Sequence, residues 1–253
     1  VELDATIDTG LDAVEHLYYI MKGCSSNEKE ITQQLIKKEI GFWDAMPLLQ
    51  SSYSDATANN TFTKLKQNNV FVVPTLHIGG VLSYLDEVDH TKDSYLQYMS
   101  LGIQKTYQGR IDRVKNATVK QVADRKALDQ FFGQLAFQLN KNEVSLLAGS
   151  DSGAYNSYTY PGISLHKELE AMVATGISPF EALRTSAYNG AKFLKKDANY
   201  GTIAEGKIAD IVLLNNNPLE DIKYTKDIFM VLTKGKIHTK TDLDNLLKSA
   251  ILN

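Results

Sequence analysis

The sequence predicts an α/β fold with a mainly parallel sheet, and three observations lead to this prediction. Over residues 1 to about 196, short apolar runs alternate with long stretches that have helical periodicity. Each short run is largely apolar and ends in polar residues, which is typical of a buried parallel strand. From Gly201 onwards the pattern changes to short strand candidates separated by Gly, Asn and Pro. We therefore predict a first domain over residues 1–200 and a second over residues 201–253.

The composition excludes several classes of protein. The 253 residues carry 27 basic and 30 acidic side chains, and the net charge of −3 argues against a nucleic-acid partner. With 43% hydrophobic residues the chain is not disordered, and no apolar run approaches the roughly 18 residues that span a membrane. The single Cys24 can form neither an internal disulfide nor a Cys-based zinc site, and it leaves the compartment open. Because the chain begins at Val1 instead of Met, we expect a processed or truncated N-terminus.

Three strands are predicted in the first domain. They lie at residues 13–14, 70–73 and 144–148. The first is followed by Glu15 and His16, the second by Pro74-Thr75-Leu76, and the third by Gly149-Ser150-Asp151. Because chemistry in parallel α/β proteins collects at the carboxyl ends of the strands, we expect these polar residues to share one site.

Helix-capping patterns predict where several helices begin and end. Capping boxes at Ser25–Glu28 and Thr118–Gln121 open two helices, the second running to about Lys141. Ser178, with Pro179 at the first helical position, opens a helix to about Leu194. A further helix covers about 165–175 and ends at Gly176.

The spacing of the strands predicts inserted helices. A single βα unit takes roughly 30 residues, whereas here more than 50 and nearly 70 residues separate the strands. Additional helices are therefore expected around 26–67 and 91–140. They either form walls of a pocket or pack on the outside of the sheet.

His16 and Asp151 are the leading candidates for chemistry. His16 follows the first strand, where it is either a functional residue or a hydrogen-bonded structural histidine. Asp151 can bind a divalent metal, accept a proton from a metal-bound water, or cap the following turn. Gly149 and Gly153 on either side allow the backbone to approach closely. A serine nucleophile elbow is disfavoured because Asp151, not Ser, stands at the centre of the Gly-x-x-x-Gly segment.

Other residues are candidates for lining a pocket. His166 lies near the start of a helix, His77 follows a strand, and Tyr155 belongs to a loop with two further tyrosines. The same loop is equally compatible with simple aromatic packing at the surface. We expect His90, in a charged stretch, and His238, in the C-terminal tail, to be solvated.

An ordered set of motifs resembles the amidohydrolase superfamily, the metal-dependent C–N hydrolases that share a (β/α)₈ barrel. The motifs are AGSDSG at 148–153, SLHKEL at 164–169, GISPFEALR at 176–184, NGA at 189–191, GTIAEGKIADIV at 201–212 and NPLEDI at 217–222. Upstream, GLDAVEH at 10–16 is similar to the sixth barrel strand of that superfamily, and VVPTL at 72–76 to the seventh. The nearest branch is imidazolonepropionase-like or prolidase-like.

The resemblance implies a fold. The first domain would be a partial TIM-type barrel, strands 6–8 with helical insertions. The second would be part of a small β-sandwich, with strands at 208–214 and 228–233 and a turn at Lys234-Gly235. No counterpart is present for the superfamily's first-strand His-x-His pair, its fourth-strand lysine or its fifth-strand histidine.

The resemblance also implies roles for the matching residues. Asp151 would bind the metal, most simply zinc, and take a proton from the hydrolytic water. His16 would be a metal ligand or a hydrogen bonder to the transition state, and His166 would face a small-molecule substrate.

Two ligands are too few for a catalytic zinc, which takes three protein ligands. We therefore expect this chain to be the C-terminal part of an enzyme that needs a second segment, on the same or another polypeptide or from a second copy of this chain. The alternative is a non-catalytic binding or scaffold protein.

Overall fold

The computed structural model describes residues 1–153 and 155–251. The α-helices of these residues are α1 Leu3–Asp8, α2 Leu17–Gly23, α3 Glu28–Ile36, α4 Phe42–Ser51, α5 Asp55–Gln67, α6 Leu76–Ser83, α7 Leu101–Lys115, α8 Val119–Lys141, α9 Ile163–Ala174, α10 Pro179–Ser186, α11 Tyr188–Phe193 and α12 Lys240–Ser249. The strands are β1 Ala13–Glu15, β2 Phe71–Val73, β3 Ile211–Leu214, β4 Ile228–Thr233 and β5 Lys236–Thr239. Short 3₁₀ helices cover His90–Lys92, Ser94–Tyr98 and Ile222–Lys226. None of the described helices is long and apolar enough to cross a membrane.

The three predicted strands of the first domain lie side by side in a parallel arrangement. Strands β1 and β2 pair in parallel, with Ala13 opposite Phe71 and Glu15 opposite Val73. The third run contributes a single parallel bridge, from Leu146 to Val72, instead of a regular strand. These segments carry an α/β fold, as the alternating pattern predicts. The assignment of these segments as strands 6–8 of a TIM-type barrel stays a prediction.

The core lies between this parallel layer and the helices around it. Val72, in the central strand, is completely buried, because both of its neighbours and the helices cover it. Helices α2, α5, α8 and α9 contribute the fully or almost fully buried side chains Leu17, Met21, Leu65, Leu139 and Met172. This layer holds the strand ends, and the residues that follow them, in one place.

The capping box predicted at Thr118–Gln121 is confirmed. Thr118 accepts a hydrogen bond from the Gln121 N–H at 3.2 Å and donates its own N–H to the Gln121 side chain at 2.9 Å. Helix α8 then runs from Val119 to Lys141, the predicted end. Gly176, with φ 103°, follows α9 as predicted, because a left-handed conformation suits glycine.

The prediction that Ser25 caps a helix through Glu28 is wrong. Helix α3 begins at Glu28, with Asn27 at its N-cap. The Glu28 carboxylate instead accepts the Leu3 N–H at 2.7 Å, and the Ser25 hydroxyl pairs with the Ser52 hydroxyl at 2.7 Å. Hydrogen bonds to residues that are distant in the sequence therefore replace the predicted capping box.

The helix predicted from Ser178 to about Leu194 is two helices. Ser178 caps α10 by accepting the Glu181 N–H at 3.2 Å. Helix α10 ends at Ser186 and α11 begins at Tyr188, because Ala187 leaves the regular helical conformation at ψ −73°. The side chain of Glu181 pairs with Arg184, one turn later, instead of with the N-cap.

The second domain contains an antiparallel sheet in the order β3-β4-β5. Strand β4 has the predicted bounds, the turn at Lys234-Gly235 is present, and β3 is shorter than predicted. His238 lies in strand β5, where it pairs with Val231. The prediction that His238 belongs to a C-terminal tail is therefore wrong. Helix α12, which the sequence did not suggest, follows with a Thr239–Asp242 capping box. The domain boundary and the membership of this sheet in a β-sandwich stay predictions.

Candidate active site

His16 and Asp151 lie close together at the carboxyl ends of adjacent parallel segments. His16 directly follows β1, and its N–H donates to Val73 O in β2 at 3.0 Å. The His16 Nε2 atom is 3.8 Å from Asp151 Oδ2, and both side chains are about one third exposed, at 34% and 36%. Both residues have left-handed backbone conformations, with φ of 65° and 48°. Such strain in non-glycine residues concentrates at functional sites.

The Asp151 side chain is not used to cap a turn. Within the described part of the chain its carboxylate accepts no hydrogen bond, and only its carbonyl oxygen is bound, by Asn156 Nδ2 at 2.7 Å. Ser152 Oγ donates to Thr159 O at 3.0 Å, which closes the loop behind it. The described contact of the carboxylate is its 3.8 Å approach to His16 Nε2.

Tyr155 is presented to solvent on the loop after Asp151. Its side chain is 69% exposed, while its backbone is held by α7. The Tyr155 N–H donates to Thr106 Oγ1 at 3.2 Å, and Arg110 Nε donates to Tyr155 O at 3.4 Å. Burial lowers the pKa of the Arg110 guanidinium, and Arg113 lowers it further, whereas Tyr18 and Asp151 act in the opposite direction. The inserted helix α7 therefore lies beside this loop.

An aromatic cluster lies beside His16. The Tyr18 ring, in α2, packs edge-on against His16 at 6.1 Å and against Trp43, in the inserted helix α4, at 5.8 Å. Trp43 is 58% exposed. Sequence reasoning missed Tyr18, Trp43 and Arg110, because single aromatic or basic residues on helices carry no signal of what they face. Helices α4 and α7, from the two inserted segments, therefore lie beside these residues, and their role as walls of a pocket stays a prediction.

His77 and His166 occupy different surroundings from His16. His77 is the second residue of α6. Its pKa is lowered to about 4, mainly by burial and also by Lys167 and His90, while Glu170 acts in the opposite direction. His166, in α9, is within hydrogen-bond distance of Thr225 Oγ1 through Nδ1, at 3.0 Å, and burial, followed by Lys226, lowers its pKa. Contact of either residue with a substrate stays a prediction.

The environment of His77 predicts that the folded protein loses stability in acid. The folded-state pKa lies below the unfolded value of 6.5, so the contribution to stability is present above pH 6.5 and is lost as the pH falls through 4. We expect the free energy of unfolding, measured by urea titration, to fall over this interval. The variant His77→Gln should show a flatter decline, whereas His238→Gln, in β5, should keep the wild-type profile. Identical profiles for His77→Gln and wild type would contradict the prediction.

His90 is not solvated, contrary to the sequence prediction. Its ring stacks on Tyr158 at 4.9 Å, and its Nδ1 is 2.9 Å from Asp93 Oδ2. The same oxygen accepts the Tyr160 hydroxyl at 2.8 Å. Two tyrosines of the loop after Asp151 thus pack inwards, and His90 helps to anchor that loop.

Glu168 is a buried residue that sequence reasoning did not single out. It is completely inaccessible in α9. Its carboxylate oxygens accept the N–H groups of Leu76 and His77 at 2.9 and 2.6 Å. Burial raises its pKa to about 7, while the N–H groups of Thr75, Leu76 and His77 act against this rise. Its signal in the sequence was its place in the SLHKEL motif, two residues after His166.

His16 and Asp151 fit a divalent metal as two members of a ligand set. Atoms that bind one zinc ion at about 2.0–2.2 Å lie no more than about 4.4 Å apart, and the observed separation is 3.8 Å. Imidazole nitrogen and carboxylate oxygen are both zinc ligands. Among the described residues no group of three or more His, Cys, Asp or Glu side chains is placed to hold a metal. Two donors are fewer than the three protein ligands that a catalytic zinc takes.

Two sequence comparisons find similar proteins for part of the chain. The profile described as "Amidohydrolase family" matches residues 131–238. A Picrophilus torridus protein that bears an adenine deaminase name is 27% identical over 99 residues, which is 39% of this chain and 16% of that protein.

Solved structures share the fold. A bottromycin amidohydrolase superimposes with a TM-score of 0.71 at 22% identity, over 100% of this chain and 52% of that one. A Xaa-Pro dipeptidase with bound methionine superimposes with a TM-score of 0.57 at 17% identity, over 92% of this chain and 41% of that one. The chain thus spans about half of these structures or less. Residues 131–238 are thus similar to the amidohydrolase family profile, and the chain shares its fold with these two solved structures.

Proposed function

We propose that this chain supplies part of the active site of a metal-dependent amidohydrolase, which hydrolyses a C–N bond of an amide, a cyclic amide or a dipeptide-like substrate. The observation that carries the proposal is the 3.8 Å separation of His16 Nε2 and Asp151 Oδ2 at adjacent strand ends of an amidohydrolase fold. The relatives named as a deaminase, a dipeptidase and an amidohydrolase support a reaction at a C–N bond.

The two residues divide the chemistry between them. When bound, a divalent metal supplies a Lewis acid that makes water a nucleophile near neutral pH. The Asp151 carboxylate accepts the proton of the attacking water and returns it to the leaving nitrogen as the C–N bond breaks. His16 Nε2 binds the metal when it carries no proton. In the other tautomer, with the proton on Nε2, it donates to the oxygen of the scissile carbonyl, which needs stabilisation as it becomes negatively charged.

The side chains around His16 and Asp151 indicate the kind of substrate that the site accepts. Tyr18 and Trp43 offer apolar faces beside His16, and Tyr155 offers a hydroxyl on the solvent side. We propose that these side chains contact a small-molecule substrate, with His77 and His166 as further candidates from the sequence. Tyr155 has the clearest access, because it is the most exposed of the five.

The remaining metal ligands are proposed to come from a second segment. The described residues provide two donors, and a catalytic zinc takes three protein ligands. The missing ligands would lie on a barrel half in the same polypeptide, on a separate chain or on a second copy of this chain. A His-x-His sequence at the end of a strand is the expected signature of that segment.

The test begins with the coding sequence upstream of Val1 and continues with an assay. We expect it to encode a His-x-His segment, and we expect the full-length protein to hydrolyse members of a panel of acyl-dipeptides and lactams. Release of amine should stop on chelation and return with Zn²⁺. A native start at Val1 together with no partner segment would exclude metal catalysis and favour the non-catalytic binding protein.

A further inference from the structure

Thr75 is placed between the backbone and the candidate catalytic histidine. Its Oγ1 atom is 2.7 Å from Pro74 O and 2.8 Å from His16 Nδ1. The Pro74 carbonyl has no proton to give, so the Thr75 hydroxyl donates to it.

This single proton determines the state of the His16 ring. A hydroxyl carries one hydrogen, which Thr75 uses on Pro74. The contact at 2.8 Å can then only be a hydrogen bond from His16 Nδ1–H to Thr75 Oγ1. In the neutral ring the other nitrogen, Nε2, has a free lone pair, and it is the nitrogen that faces Asp151.

The Thr75 backbone needs support to hold this position. Thr75 has φ 53° and ψ 46°, a left-handed conformation that is unfavourable for a β-branched residue. The residues that follow it, Leu76 and His77, donate their N–H groups to the Glu168 carboxylate. Because Glu168 is completely buried in α9, its carboxylate is a fixed anchor for this turn.

We infer that Glu168 and Thr75 are positioning residues: Glu168 holds the turn from Thr75 to His77, and the Thr75 hydroxyl fixes His16 as the Nδ1–H tautomer. The Nε2 atom is thereby kept unprotonated towards Asp151, the form in which histidine binds a metal. This use of Nε2 rests on the proposed function, whereas the tautomer is a property of the folded protein alone. The two can therefore fail separately.

The tautomer can be read by NMR without any activity measurement. The full-length protein, labelled with ¹⁵N-histidine and dialysed against a chelator, is examined at pH 8 by long-range ¹H–¹⁵N correlation. The signals of His16 are assigned by their loss in His16→Asn. We expect wild type to show a protonated Nδ1 and an unprotonated Nε2.

Three substitutions test the chain of contacts. Thr75→Val keeps the shape and removes the acceptor, and we expect the Nδ1–H to Nε2–H ratio to fall about fivefold or more, the scale of one hydrogen bond. Thr75→Ser should restore the wild-type ratio. Glu168→Gln should shift the ratio in the same direction as Thr75→Val, because an amide cannot accept both N–H groups.

The matched control is Glu170→Gln on the same helix. Glu170 pairs with Lys167 and Lys226 instead of with the turn, so the ratio should stay at the wild-type value. A wild-type His16 protonated on Nε2, or an unchanged ratio in Thr75→Val, overturns the inference. An unchanged ratio in folded Glu168→Gln overturns the part played by Glu168. If Glu168→Gln does not fold, the Thr75 pair of variants still decides whether the hydroxyl sets the tautomer.

Discussion

Replacement of Asp151 by Asn in the full-length protein is expected to lower kcat/KM for C–N hydrolysis at least about a hundredfold, the scale of losing a positioned general base. Asn has nearly the same shape as Asp but does not take up a proton. The local fold should survive, because the hydrogen bond that Asn156 makes to Asp151 uses the backbone carbonyl, which the substitution leaves in place.

The measurement is the initial rate on the best substrate of the panel, with and without added Zn²⁺. Asp197→Asn is the control, because Asp197 is an exposed residue in the loop after α11. It should retain wild-type turnover. Turnover of Asp151→Asn close to wild type would contradict the role of Asp151 as base.

The second prediction with a large expected effect concerns the amount of zinc that the 253-residue chain binds on its own. We expect sub-stoichiometric zinc after gel filtration, measured by elemental analysis, because His16 and Asp151 provide two donors and no group of three or more ligands is present among the described residues. His16→Asn should remove most of the remaining zinc.

The control for this measurement is His238→Asn, which changes a histidine in the C-terminal sheet. Its zinc content should match that of the unchanged chain. Tight one-to-one binding by the chain alone would contradict the view that the remaining ligands come from a second segment.

Features that depend on neighbouring residues were predictable from the sequence. Helix α8 begins after Thr118 and ends at Lys141 as predicted, because its cap is a reciprocal pair within four residues. Strand β4 and the turn after it also lie where predicted. In the first domain, polar residues after apolar runs correctly indicated that His16 and Asp151 lie close together.

Features that depend on distant residues were not predictable. The acceptor and donor groups of Ser25 and Glu28 suit a capping box, but Ser52 and Leu3 bind them instead. His90 stands in a charged stretch, yet Tyr158 covers its ring and Asp93 binds it. A pattern of charges shows which groups are available, but not which of several possible partners the packed core brings near.

The sequence by itself determined the α/β alternation, the superfamily resemblance and the residues that follow each strand, because these depend on periodicity and on motifs read in order. Only the tertiary structure decided that Thr75 contacts His16, that Glu168 accepts the N–H groups of Leu76 and His77, and that the Tyr18 ring packs against His16 and Trp43. These contacts join residues as many as 92 positions apart. Such contacts follow from the packing of whole helices against the sheet, which local patterns do not encode.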